Sequence, residues 1–157
     1  MAGCIVGWAH TPFGRLDGAS VESLIVKAAS EAMADAGIGP ADVDEIVLGH
    51  FNAGFSAQDF TASLVLQASP ELRFKRATRV ENACATGSAA VQQGLRAISA
   101  RDARIVLVVG VEQMTTLLQR QRTTAGLLAA HNCLIGRFQE DDGRVDAALV
   151  ERIDGHP

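Results

Sequence analysis

Apolar runs of strand length recur along this chain, and stretches with helical spacing separate them. CIVGWA at 4–9, EIVLGH at 45–50, ATRVEN around 77–81 and ARIVLVVGVE around 104–111 are short, rich in β-branched residues, and bounded by Gly, Pro, Asn or Asp. The resulting order, βαβαβαβ, calls for an α/β fold with a mostly parallel sheet flanked by helices, because parallel neighbours need a helical crossover between them.

The first crossover is the best marked. Ser20 is a good N-cap, Val21, Leu24, Ile25, Ala28, Ala32 and Met33 recur on one face, and Gly37 supplies the stop. Glu22, Lys27, Glu31 and Asp35 leave the other face to solvent. A second helix is expected from about Gln58 to Gln67, ending before Pro70. The third, 85–100, carries only Arg96 as a charge among Ala, Gly and Ser. A helix so small and uncharged is buried on more than one side. The chain's own sheet covers one of those sides, so something else must cover the other.

Length and composition limit the function classes. The 157 residues allow a real core, and a net charge of −4 offers no general attraction to nucleic acid or an anionic membrane. RFKR at 73–76 and QRQR at 119–122 read as solvated surface. No run approaches the ~20 apolar residues of a membrane span, and the opening MAGCIVGWAHTPFGR is not a signal peptide. Three scattered cysteines make neither a disulfide framework nor a zinc site, so no metal is expected and a reducing cytoplasm is the natural location. No GxGxxG or GxxxxGK[ST] follows a strand, which sets a nucleotide-binding domain low.

Cys84 is the residue that raises a chemical question. It stands in VENACATGSAA, between the third strand and the uncharged helix. Helix N-termini present unpaired N–H groups and a positive dipole end, which favour the thiolate, the nucleophilic form. Ala85, Gly87 and Ser88 leave room for a carbonyl to approach. The plainer reading is a small buried hydrophobe, the common fate of a cysteine. Cys4 reads as strand core, and Cys133, in AAHNCLIG, has no readable context. His10 and His50 read as ordinary polar residues rather than bases, and His131 has no motif around it.

VENACATGSAAVQQGLRAI followed by RIVLVVGVEQMT resembles the nucleophile segment of thiolases, in the branch related to sterol-carrier-protein thiolases. GWAHTPFGR resembles that family's opening strand and loop, and SLIVKAASEAMADAGIGPADVDEIVLGHFNAG its first helix and second strand. The resemblance covers about residues 3–116. It implies an incomplete thiolase-type N-terminal half with a buried nucleophile helix. It also implies that Cys84 accepts an acyl group from a 3-ketoacyl-CoA or acetyl-CoA, a step of lipid metabolism, with its own backbone N–H serving an oxyanion hole. Coenzyme A thioester would be substrate, with no covalently held cofactor; other CoA-binding residues are not identified. The strand before Cys84 would lie near a partner subunit, in a homo-oligomer or with a thiolase-like partner. A β-ketoacyl synthase shares the superfamily, but HTPFGR and ENACATGSAA favour thiolase.

Past GVEQMTT the resemblance stops, so 1–116 reads as a partial domain without loop domain or last strand. Residues 117–157 read as an unassigned, loosely docked tail with a short amphipathic piece around Val145, Leu149 and Val150. The terminal Gly155-His156-Pro157 matches a histidine motif of the family's second half only by coincidence. That half supplies further catalytic groups, so very low turnover is expected of this chain alone. The competing expectation is a non-catalytic thiolase-like fragment acting only by association.

Overall fold

The computed structural model describes residues 3–14, 16–52 and 57–113, and the backbone of a strand at 132–137. Its elements are β1 (Cys4–His10), α1 (Val21–Asp35), β2 (Glu45–Gly49), α2 (Thr61–Leu64), β3 (Arg76–Val80), α3 (Thr86–Ser99), β4 (Ile105–Gly110) and β5 (Asn132–Arg137). They form one five-stranded sheet in the order β1-β5-β4-β2-β3. β2 pairs parallel with β3 and with β4, while β5 runs antiparallel between β4 and β1. Four strands therefore share one direction, and β5 alone opposes them.

Two crossovers build the parallel part. β2 is buried along its whole length and β4 over Ile105–Val109, as befits central strands with helices on both faces. Ile46, Leu48, Leu107 and Val109 face one layer, where they meet Leu24, Ile25, Ala28 and Ala32 of α1 and Val65 and Leu72 beyond α2. Val47, Val106 and Val108 face the other layer, where they meet Ala90, Ala97 and Ile98 of α3. Gly94 lets α3 lie close on the sheet: a Cβ there would stand 2.8 Å from a Val108 methyl.

α1 follows its sequence closely. Ser20 Oγ accepts from Ser23 N at 3.0 Å, Ser23 Oγ accepts from Ser20 N at 2.9 Å, and Gly37 leaves the helix at φ +65°. α2 is shorter than expected. Only Thr61–Leu64 is α-helical, and Val65–Ala68 tightens into a 3-10 turn. The segment has no side-chain cap at Phe60, and Pro70 forces Ser69 into extended backbone, so two ends of a weak helix compete for few residues.

β5 falls inside 117–157, where the sequence reading places no strand, and it fills the sheet between β1 and β4. The expectations about Val145, Leu149 and Gly155-His156-Pro157 lie outside the described residues. Among the described residues, the α3 side of the sheet is only partly covered. Thr86, Ala90, Gly94, Ala97 and Ile98 are buried on it, whereas Gly87, Ser88, Gln92, Arg96 and Ser99 face outward and are exposed. Beside α3 an apolar groove is lined by Cys4, Ile5, Val91, Leu95, Ile98 and Val106, and Trp8 on β1 is 54% exposed.

Candidate active site around Cys84

Open parallel sheets gather functional groups at the carboxyl ends of their strands, and here that edge carries two polar constellations. The first is the turn that joins β3 to α3. Val80 ends the strand, and Ala83–Ala85 forms a single 3-10 turn before the helix begins at Thr86. Ala83 sits at φ +46°, a left-handed conformation that an L side chain rarely adopts and that costs about 1–2 kcal/mol. That reversal sets Cys84 on the surface, as a free and exposed thiol.

The turn is tied at each step. Ala83 N donates to Glu81 Oε1 at 2.7 Å, and Ala85 N donates to Asn82 O at 2.9 Å. Thr86 Oγ1 accepts from Asn82 N at 2.8 Å and donates to Ala83 O at 2.7 Å. Below it, Gly49 at the end of β2 lies against Thr86: a Cβ on Gly49 would stand 3.1 Å from Thr86 O and 3.2 Å from Ala90 Cβ. A bare backbone at position 49 thus seats the start of α3 on the sheet.

The second constellation holds the chain that leaves β2. The His50 side chain is 1% exposed, with Nδ1 3.2 Å from Thr61 Oγ1 and Nε2 3.7 Å from Glu112 Oε1. Glu112 Oε2 accepts from Phe51 N at 3.0 Å and Asn52 N at 3.2 Å. Arg79 holds the other side of the same corner, donating from Nε to His50 O at 3.0 Å and from Nη2 to Phe51 O at 3.2 Å. Burial lowers the His50 pKa to about 4; the Arg79 charge adds to this and Asp59 opposes it. Burial raises the Glu112 carboxyl above its ordinary range, against the pull of the two amides and Arg79. His50 is thus a neutral buried ring, and Glu112 and Arg79 carry no motif in the sequence. The one signal for them was position, just at or past the ends of β2, β3 and β4.

Other candidates separate from this edge. Cys4 is half-buried and lines the groove beside α3, less enclosed than a core residue. His10 is half-buried with its ring centroid 4.4 Å from that of Phe13. His131, His156 and the Cys133 side chain lie outside the described residues. Among the described residues, no three His, Cys, Asp or Glu side chains converge as a metal site requires.

The sequence matches the thiolase N-terminal domain over residues 3–153. The chain belongs to the thiolase family. It is 41% identical to the acetyl-CoA acetyltransferase of Methanocaldococcus jannaschii over 115 residues, 73% of this chain and 29% of that protein. The same level of coverage recurs in the acetyl-CoA acetyltransferase of Methanothermobacter thermautotrophicus, at 36% identity. The chain therefore spans about three tenths of the length of these thiolase relatives. In fold it is similar to human mitochondrial 3-ketoacyl-CoA thiolase, solved in complex with CoA (TM-score 0.66, 24% identity, 72% of this chain and 30% of that one). It is also similar to 3-oxoacyl-[acyl-carrier-protein] synthase III from Aquifex aeolicus (TM-score 0.74, 19% identity, 88% and 55%). The fold neighbours thus include a thiolase and a 3-oxoacyl-[acyl-carrier-protein] synthase, and the thiolase assignment comes from the sequence.

Proposed function

We propose that this chain carries the nucleophile segment of a thiolase-type acyl-CoA acyltransferase, with Cys84 as the residue that takes the acyl group. The observation behind this reading is the exposed thiol on a left-handed turn, one residue before the cap of a helix with Gly87 and Ser88 at its mouth. The Cys84 thiolate attacks the thioester carbon of acetyl-CoA, or the keto carbon of a 3-ketoacyl-CoA. In the first case the carbon–sulfur bond to CoA breaks and CoA leaves as its thiolate, which takes up a proton. In the second, the bond between the keto carbon and its neighbour breaks, and acetyl-CoA leaves as a carbanion that is protonated. Either way an acyl-enzyme forms and then passes its acyl group on, which is two-step covalent catalysis. The Cys84 backbone N–H serves as one oxyanion donor.

Coenzyme A thioester is substrate in this reading, and no resident cofactor or metal is invoked. A reducing cytoplasm suits an exposed unpaired thiol, and no described helix is long and apolar enough to cross a membrane. Among the described residues β3 is an edge strand, which suits pairing with a second subunit in a homo-oligomer or with a thiolase-like partner. The test is intact-mass analysis after incubation with acetyl-CoA. An acetyl adduct mapped to Cys84 and lost in Cys84→Ser supports the reading; an adduct that persists in Cys84→Ser removes it.

The outer face of α3 and the exposed Ile5 and Trp8 favour a second reading, in which the chain acts only by association. Light scattering decides this one: a monomer at all concentrations, alone and with a full-length thiolase, excludes it.

A further inference from the structure

We infer that Thr86 is a positioning residue for Cys84, holding the nucleophile's turn through its hydroxyl; this rests on the reading of Cys84 as nucleophile. A hydroxyl offers one proton and two lone pairs, and Thr86 uses it on both residues that precede the thiol. Oγ1 accepts from Asn82 N at 2.8 Å and donates to Ala83 O at 2.7 Å. Between those two contacts lies the residue at φ +46°. An alanine has no side-chain means of staying left-handed, so the conformation depends on what is bonded to either side of it.

Thr86 is fixed well enough to act as an anchor. It is 7% exposed, it begins α3, and its carbonyl and Cγ2 lie against Gly49. The side chain is thus held by the sheet and the helix while its hydroxyl holds the loop. An ordinary helix cap points the other way along the chain: a residue outside the helix reaches in to an amide of the first turn. Here the first helical residue reaches out, and Ala85, the cap residue, makes no side-chain cap bond. The capping capacity of the first helical turn is therefore spent on the nucleophile's turn.

The test measures the iodoacetamide alkylation rate at Cys84 and Cys4 in the full chain by peptide mass spectrometry, for wild type, Thr86→Val and Thr86→Ser. Valine keeps the shape and removes both bonds; serine keeps both. Thr86→Val should slow Cys84 roughly tenfold, since small displacements of a reacting group have effects of that order or larger. Thr86→Ser should stay close to wild type, and Cys4 should not change. Equal Cys84 rates in wild type and Thr86→Val overturn the positioning role and leave the nucleophile reading standing. Slower labelling of Cys84 than Cys4 in wild type overturns the nucleophile reading, and the positioning role with it. A valine variant that does not fold is replaced by hydrogen exchange on the wild type and Thr86→Ser. Protection of the Asn82 amide in both supports the clamp, and exchange at the rate of an unstructured peptide overturns it.

Discussion

Acidification from pH 7 to about 4.5 charges His50 in the unfolded chain and leaves it mostly neutral in the fold. The free imidazole titrates near ~6.5, whereas the buried ring titrates at about 4. A depressed histidine contributes stability that is fully present above pH ~6.5 and is lost as pH falls toward the folded value. Each unit is worth 1.36 kcal/mol, so the two units between pH ~6.5 and ~4.5 give at most about 2.5 kcal/mol. Glu112 Oε1 stands 3.7 Å from Nε2 of the same ring. Glu112 itself runs the other way, because a carboxyl raised in the fold adds stability as pH falls. Comparing wild type with His50→Asn therefore isolates the histidine. Urea unfolding at pH 7 and 4.5 should show wild type losing about 2 kcal/mol more than the variant. Identical losses in the two proteins would refute the account of His50 as a neutral buried ring.

Asp44 Oδ2 accepts from Arg104 N at 2.8 Å and Ile105 N at 3.0 Å, fixing the start of β4. Asp44→Ala should cost about 1–3 kcal/mol by chemical denaturation, with Asp44→Asn retaining most of the stability. Ile25, fully buried between α1 and the sheet, should cost about 2–5 kcal/mol when cut to alanine, read as a lowered Tm. Gly49→Val pushes a side chain into Thr86 and Ala90; thermal melts should register about 1–3 kcal/mol of destabilisation. Ala83→Gly removes the left-handed strain but adds freedom to the unfolded chain, so its stability should stay within about 1 kcal/mol of wild type in the same melts.

Much of the framework is written locally. β1 to β4 follow their apolar runs, and α1 follows Ser20, its apolar face and Gly37, because those signals act within a few residues. α2 was overextended because periodicity over 58–67 says nothing of how Ser69 before Pro70 and the uncapped Phe60 squeeze the helix. β5 was not legible because NCLIGR is short and its place depends on β1 and β4, far away in the chain. At the candidate site, the small residues around Cys84 pointed to an open thiol. The left-handed Ala83 and the hydroxyl of Thr86 have no such signal, since any alanine or threonine reads alike in sequence. The burial of His50 rests on Thr61 and Glu112 arriving from separate elements, which no local pattern encodes.

Exchange of label between acetyl-CoA and radiolabelled free CoA tests the central claim most directly, because it requires an acyl-enzyme and no second acyl substrate. The account predicts slow exchange by the wild-type chain and none by Cys84→Ser. Equal exchange by the two proteins would contradict it.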